Sequence, residues 1–246
     1  MVAFSGPDPI GVLIGAKRPS GTLIHKIAVH PDHCRQGHGR HLLTSLSSKL
    51  AILGPPRMVA EIPETLAATC GLFSASGYVQ EALLTDYVLD RPALVEGPAL
   101  SEHESGKAGP MRVEGYVIPV TVDDLAANGL LGEADAQVCW ERSVETLTAR
   151  KDDIAGLAVA SDERIEAYLL YAKRGVEGTE IMSLRSFVDD GGARLTQLLS
   201  QLRARGMGTF RFPKVHPAEI SEEFLETLGF RPAGGHLLYA AKARSA

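Results

Sequence analysis

Val29-His30-Pro31-Asp32-His33-Cys34-Arg35-Gln36-Gly37-His38-Gly39-Arg40-His41-Leu42-Leu43 is the stretch on which the fold turns. The apolar run Thr22 to Val29 precedes it, and an amphipathic run with Leu42, Leu43, Leu46 and Leu50 follows. The order therefore reads strand, glycine loop, helix. Gly37 and Gly39 let a backbone approach a ligand closely, and amides at a helix start suit a phosphate or diphosphate. Arg35 and Arg40 flank that loop as neutralising charges. Gly-x-Gly before a helix is also ordinary punctuation, so the residues alone leave two readings, an anion cradle and a turn.

At 246 residues the chain has room for one large domain or two small ones, each with its own core. A formal net charge of -5 gives no basic field for nucleic acid, and the cluster around Arg35 and Arg40 fits one small anionic ligand better than a polymer. No apolar run is long enough to cross a bilayer. Met1-Val2-Ala3-Phe4-Ser5-Gly6-Pro7 lacks the charged start and apolar core of a signal peptide. The expectation is a cytoplasmic protein with neither nucleic-acid nor membrane partners. Cys34, Cys70 and Cys139 form no CxxC pair, which argues against a disulfide framework or a zinc ribbon. His30, His33, Cys34, His38 and His41 crowd the loop, but neighbours such as His33 and Cys34 diverge, and no metal is expected.

Along the chain, Met1 to Phe4 and Ile10 to Gly15 read as a hairpin, followed by the strand Thr22 to Val29 and a helix that stops near Gly54-Pro55-Pro56. Arg57 to Ile62 is a strand, Glu64 to Ser76 a helix ended by Gly77, and Glu81 to Leu89 a strand. Arg91 to Pro110 has no periodicity and reads as a linker. Beyond it come a strand to Val120, a helix start at Thr121, and Trp140, Val144 and Leu147 on one helical face. A hairpin (Leu157 to Ala160, Ile165 to Ala172) and a strand, Glu180 to Val188, follow. Next are a helix carrying Leu195, Leu198, Leu199 and Leu202, the strand Thr209 to Phe212, the helix Ser221 to Leu228 and a last strand, His236 to Ala241.

The two halves repeat each other: hairpin, strand, glycines, Leu-Leu helix, strand, then a helix ending Leu72-Phe73-x-x-x-Gly77-Tyr78 or Phe224-Leu225-x-x-x-Gly229-Phe230. Eight positions separate Val29 from Gly37 but only three separate Val188 from Gly191, so the second copy has no room for a cradle. The first copy, in turn, has nothing matching Arg112 to Arg150. The expected domains are 1–91, a linker over 92–110, and 111–246.

Val29-His30-Pro31, Arg35-Gln36-Gly37-His38-Gly39-Arg40 and Leu42-Leu43 together resemble the acetyl-CoA-binding signature of the GNAT superfamily of N-acetyltransferases. Leu72-Phe73-x-x-x-Gly77-Tyr78 resembles that family's helix-ending motif. The resemblance implies an α/β (α+β) fold, tandem acyl-CoA N-acyltransferase domains with a mixed, mostly antiparallel sheet flanked by helices, the N-terminal copy truncated at its start. It implies acetyl-CoA as co-substrate, with the pantetheine arm along Ile27, Ala28 and Val29 and the diphosphate on the amides of Arg35, Gln36, Gly37, His38, Gly39 and Arg40. An amine, from a small molecule or a peptide, would attack the thioester directly, its oxyanion held by a backbone N–H near Ile27.

This sequence departs from the family pattern in three places. Cys34 stands where Arg or Gln is usual, and Phe73 replaces a tyrosine that often serves as general acid; a phenyl ring has no proton to give. The family's first strand and two helices, which wall the acceptor pocket, have no counterpart before the first hairpin. The second half or a second copy, as in a homodimer, must supply that wall. For the base, alternation puts His25 on the strand face of Ile27 and Val29, with Glu61 on the following strand as the other candidate. Each has a plainer reading, as a strand-edge histidine and a solvated strand end. Acetyl transfer to an amine is the expected function, and a non-catalytic acetyl-CoA-binding module the alternative.

Overall fold

The computed structural model describes residues 1–90, 115–131, 137–174 and 178–244; the expected linker lies outside them. In chain order the first elements are β1 (Val2–Ser5), β2 (Asp8–Lys17), β3 (Thr22–Val29), α1 (His38–Leu53), β4 (Arg57–Pro63), α2 (Ala67–Ala75) and β5 (Val79–Leu89). Then come β6 (Tyr116–Val120), α3 (Val122–Ala127), α4 (Val144–Ala149), β7 (Ala155–Ala160), β8 (Ile165–Arg174) and β9 (Gly178–Ser186). The chain closes with α5 (Ala193–Ala204), β10 (Phe210–Val215), α6 (Glu222–Thr227) and β11 (Arg231–Lys242). Among the described residues no helix is long and apolar enough to cross a membrane. The chain divides into two compact units, Met1–Thr85 with Gly234–Ala246, and Asp86–Ala233.

In the first unit the strands run in the order β1-β2-β3-β4-β11. β1, β2 and β3 form antiparallel pairs, whereas β3 and β4 are parallel and pair only at Thr22↔Met58 and Leu23↔Val59 before they part. α1 lays Leu42, Leu43, Leu46 and Leu50 on one sheet face, meeting Leu13, Ile24, Met58, Ala60 and Ile62. That spacing is the apolar stripe of a one-faced helix. α2 ends in a Schellman motif: the Tyr78 amide bonds Phe73 O (3.1 Å), the Gly77 amide bonds Ser74 O (3.1 Å), and Gly77 takes the left-handed turn at φ 85°. The Phe73 and Tyr78 rings meet edge to face at 4.9 Å, the apolar contact such a stop calls for.

The last strand differs from the expected division at 111–246. Gly234–Ala246 belongs to the first unit, where β11 runs antiparallel to β4 from His236↔Pro63 to Lys242↔Arg57. Without β11, that side of β4 would be a raw edge of unpaired amides and carbonyls. Tyr239 also packs tilted against Phe73 at 6.1 Å in the same core.

The second unit orders its strands β10-β9-β8-β7-β6, and both faces are covered. α5 and α6 bury Leu195, Leu198, Leu199, Leu202 and Leu225 with Leu157, Val159 and Leu169 on one face. α3 and α4 bury Val122, Leu125 and Leu147 with Ala158, Tyr168 and Leu170 on the other. The first unit has no described counterpart of α3 and α4. β9 and β10 are parallel and pair only at Thr179↔Phe210 and Glu180↔Arg211, repeating the parting of β3 and β4. α6 stops as α2 does, with the Phe230 amide bonding Leu225 O (3.0 Å) and Gly229 at φ 88°. Trp140 does not share a helix with Val144 and Leu147. It opens a 3-10 turn, and Ser143, extended at ψ 151°, accepts the Thr146 amide on its hydroxyl and starts α4 afresh.

Candidate functional site

In the first unit a cleft of about 550 Å³ opens where β3 has left β4. β3 supplies Ile27, Ala28 and Val29; the loop and first turn of α1 supply His33 to Arg35 and Gly37 to Arg40; α2 supplies an uncharged wall that includes Thr69 and Leu72. Four basic side chains, His33, Arg35, His38 and Arg40, line this space, and among the described residues no carboxylate does. The cleft thus favours an anion next to an apolar arm.

The loop owes its shape to backbone turns and short side-chain braces. Arg35 (φ 62°) and Gly37 (φ 88°) are both left-handed, and Gly37 is the N-cap of α1 without any side-chain cap. Left-handed residues so close together curl successive amides into a concave nest, and the first amides of α1 have no partner inside the helix. Two side chains brace the loop: Cys34 Sγ donates toward His30 O (3.5 Å) and Gln36 Nε2 to Asp32 O (3.0 Å). Gln36 therefore uses its side chain to hold the loop and does not line the cleft. Gly39 has a packing role, since a Cβ there would stand 3.0 Å from Leu72 Cδ2 and press on that side chain of α2. A Cβ at Gly37 would meet no protein atom within 4 Å.

Neither base candidate lines the cleft. Alternation misplaces His25 because β3 carries a bulge there: Lys26 pairs with Ile14 and Ile24 with Gly15, so His25 is the extra, unpaired residue. Ile24 and Ile27 both face the core as a result, while His25 is exposed. On β4, Met58, Ala60 and Ile62 are buried against the helices, which turns half-buried Glu61 to the opposite face. His25 and Glu61 thus flank the parted strands on the face away from α1 and α2. Phe73 is 1% exposed and lies in the core.

The second unit has the same framework with its openings filled from within. α5 also starts on a left-handed N-cap, Gly192 at φ 87°. There the Asp190 carboxylate accepts the amides of Gly192 and Arg194 (3.0 Å each) and the Arg194 guanidinium (2.9 Å), which also pairs with Glu166 at 2.7 Å. Burial pushes the Asp190 carboxyl up, but these bonds together hold it below the ordinary carboxylate range. On the part of β10 that no longer pairs with β9, the carbonyls of Pro213 and Lys214 accept from Arg142, which is also paired with Glu219 at 2.6 Å. Sequence reasoning attributed the lost cradle to a short loop; Asp190, two residues before the N-cap, is the signal it passed over.

Residues 1–78 match the model of the Acetyltransferase (GNAT) family. By structure the whole chain is similar to a tandem GNAT protein from the clavulanic acid biosynthesis pathway, at 17% identity and a TM-score of 0.62, covering 100% of this chain and 82% of that one. It is also similar to a GCN5-related N-acetyltransferase from Sphaerobacter thermophilus (14% identity, TM-score 0.64, 96% and 78% covered). A GCN5-related N-acetyltransferase from Kribbella flavida aligns at 12% identity, with a TM-score of 0.58 and 96% and 58% covered. No curated protein matches by sequence. The match to the GNAT family thus lies in the N-terminal part of the chain, and the chain as a whole has the fold of tandem GNAT proteins.

Proposed function

We propose that the first unit binds acetyl-CoA in the cleft and transfers the acetyl group to a primary amine, from a small molecule or a peptide. The observation that carries this reading is the cleft itself: a parted strand, a nest of amides at a helix start and a cationic lining without carboxylates. The pantetheine amides would pair with the backbone of Ile27 to Val29, the diphosphate would take the amides of Arg35 to Arg40, and the dipole of α1 adds to that attraction. The thioester end would then reach the gap between β3 and β4, where the Ile27 amide would hold the oxyanion. Glu61, flanking that gap on the acceptor side, takes the proton of the attacking amine, with His25 as the second base. Phe73 gives no proton, so the thiolate leaves without an acid from that position. The second unit takes no donor, because Asp190 already occupies the amides of its helix start.

Incubation with acetyl-CoA and a library of amines, scored by free CoA, tests this reading. Amine-dependent release supports transfer. The placement of His25 and Glu61 outside the cleft favours one alternative, a donor-binding module without turnover; tight acetyl-CoA binding with no release across the library would establish it.

A further inference from the structure

We infer that the first unit carries a second anion site, a hollow beside the C-terminal end of α2 that takes a phosphate group. The hollow measures about 200 Å³ and is lined by Thr44 and Ser47 of α1, Ser76 and Tyr78 where α2 stops, and Lys242 and Arg244 at the end of β11. It shares no lining residue with the donor cleft and does not depend on the donor assignment. Two cations thus meet at this hollow, and among the described residues no carboxylate lines it. Neither cation has a counter-ion among those residues. Backbone bonds hold them in place: the Ala243 amide bonds Pro56 O (2.6 Å), and the Arg244 amide bonds Ser47 Oγ (2.9 Å). The closing strand is thereby tied both to the loop before β4 and to α1.

A buried hydroxyl adds a donor. Tyr78 is 6% exposed, and its hydroxyl donates to the thioether of Met58 (3.6 Å), a weak acceptor. Burial pushes its pKa up, so it keeps the proton that an anion accepts. Cations beside a helix C-terminus are also the ordinary complement of its dipole. Here the carbonyls of Leu72, Phe73 and Ser74 are already taken by the amides of Ser76, Tyr78 and Gly77 and by the Ser76 hydroxyl, which leaves the two cations for a ligand. A phosphate group satisfies the whole lining: its charge meets Lys242 and Arg244, and its oxygens accept from the Tyr78 and Thr44 hydroxyls.

The test is calorimetry of inorganic phosphate against the full chain, as wild type and as two double variants. Lys242→Ala with Arg244→Ala removes the charges of the hollow at two exposed positions, and Arg35→Ala with Arg40→Ala removes those of the cleft. The expected result is phosphate binding that the first variant weakens roughly tenfold or more and the second leaves in place. Tyr78→Phe, which keeps the ring against Phe73, weakens it roughly two- to tenfold. No phosphate binding by the wild type, binding undiminished in the Lys242 and Arg244 variant, or binding lost only in the Arg35 and Arg40 variant overturns the inference. CoA and 3′-dephospho-CoA then tell where the phosphate group comes from. If the Lys242 and Arg244 variant weakens CoA alone, the hollow takes the donor's own 3′-phosphate; if it weakens neither, the hollow takes the phosphate of a separate ligand, and either result keeps the site. If neither coenzyme binds the wild type, the donor assignment falls while the phosphate titration still decides this site.

Discussion

Replacing Gly37 with alanine separates what the loop does for the fold from what it does for the ligand. Gly37 sits at φ 88° with open space where a Cβ would go, so the direct cost to the protein is backbone strain. A left-handed alanine costs roughly 1–2 kcal/mol, and the stiffer unfolded chain returns about 0.4–1 kcal/mol. The net loss is about 1 kcal/mol, or a fall in Tm of roughly 2–4 °C for a chain of this size. Gly77 is the matched control: its φ is 85°, nothing stands within 4 Å of its would-be Cβ, and it lies outside the cleft. Gly77→Ala should therefore lower Tm about equally. Only Gly37→Ala places a methyl group at the nest. Losing one charge-assisted bond to the diphosphate costs about 1.5–3 kcal/mol, which weakens acetyl-CoA binding roughly tenfold to 150-fold. Calorimetry and thermal denaturation of the two variants side by side read both numbers. Equal affinity losses in the two variants, or wild-type affinity in Gly37→Ala, would refute the reasoning.

Other outcomes follow from the same geometry. Asp190→Ala leaves two amides of α5 and the Arg194 guanidinium without their carboxylate; it should cost about 1–2 kcal/mol by denaturant unfolding and leave acetyl-CoA affinity unchanged. Because the Asp190 carboxyl is held below the ordinary range, its stabilisation is present above the unfolded pKa and lost as pH falls through the folded one. The stability gap between wild type and Asp190→Ala should accordingly close in acid, and a gap that widens there would contradict the sign. Glu219→Ala takes the carboxylate from Arg142, whose side chain is 2% exposed and keeps its bonds to the carbonyls of Pro213 and Lys214; the buried charge loses its counter-ion, and the expected loss is about 3 kcal/mol in chemical denaturation. Glu61→Gln should lower amine-dependent CoA release by roughly 10²–10⁴-fold with donor affinity intact in calorimetry, a split that loss of binding alone would not give.

Much of this was legible because local rules and tertiary packing agree. The Leu42, Leu43, Leu46, Leu50 stripe, the alternating β4 and the glycine stops at Gly77 and Gly229 each need only neighbours in sequence to declare their element. The cleft was legible for the same reason, since its nest is built from consecutive residues. What escaped depends on contacts between distant residues. The bulge at His25 is set by register against β2, and a slip of one residue moves a side chain to the other face. The return of β11 to β4 answers an exposed edge that no local pattern encodes. Gly39 looked like a second point of ligand approach, but Leu72 on another helix gives it a packing role. Trp140 shares a helical spacing with Leu147 yet is cut off by the Ser143 cap, a case where side-chain capping outcompetes an apolar period.

Hydrogen–deuterium exchange with and without acetyl-CoA tests the central claim most directly, because it reports which amides the donor covers. Protection should appear at Ile27–Val29 and across residues 35–40, with no change across residues 189–194. Protection at the start of α5, or none at residues 35–40 under saturating acetyl-CoA, would contradict the account.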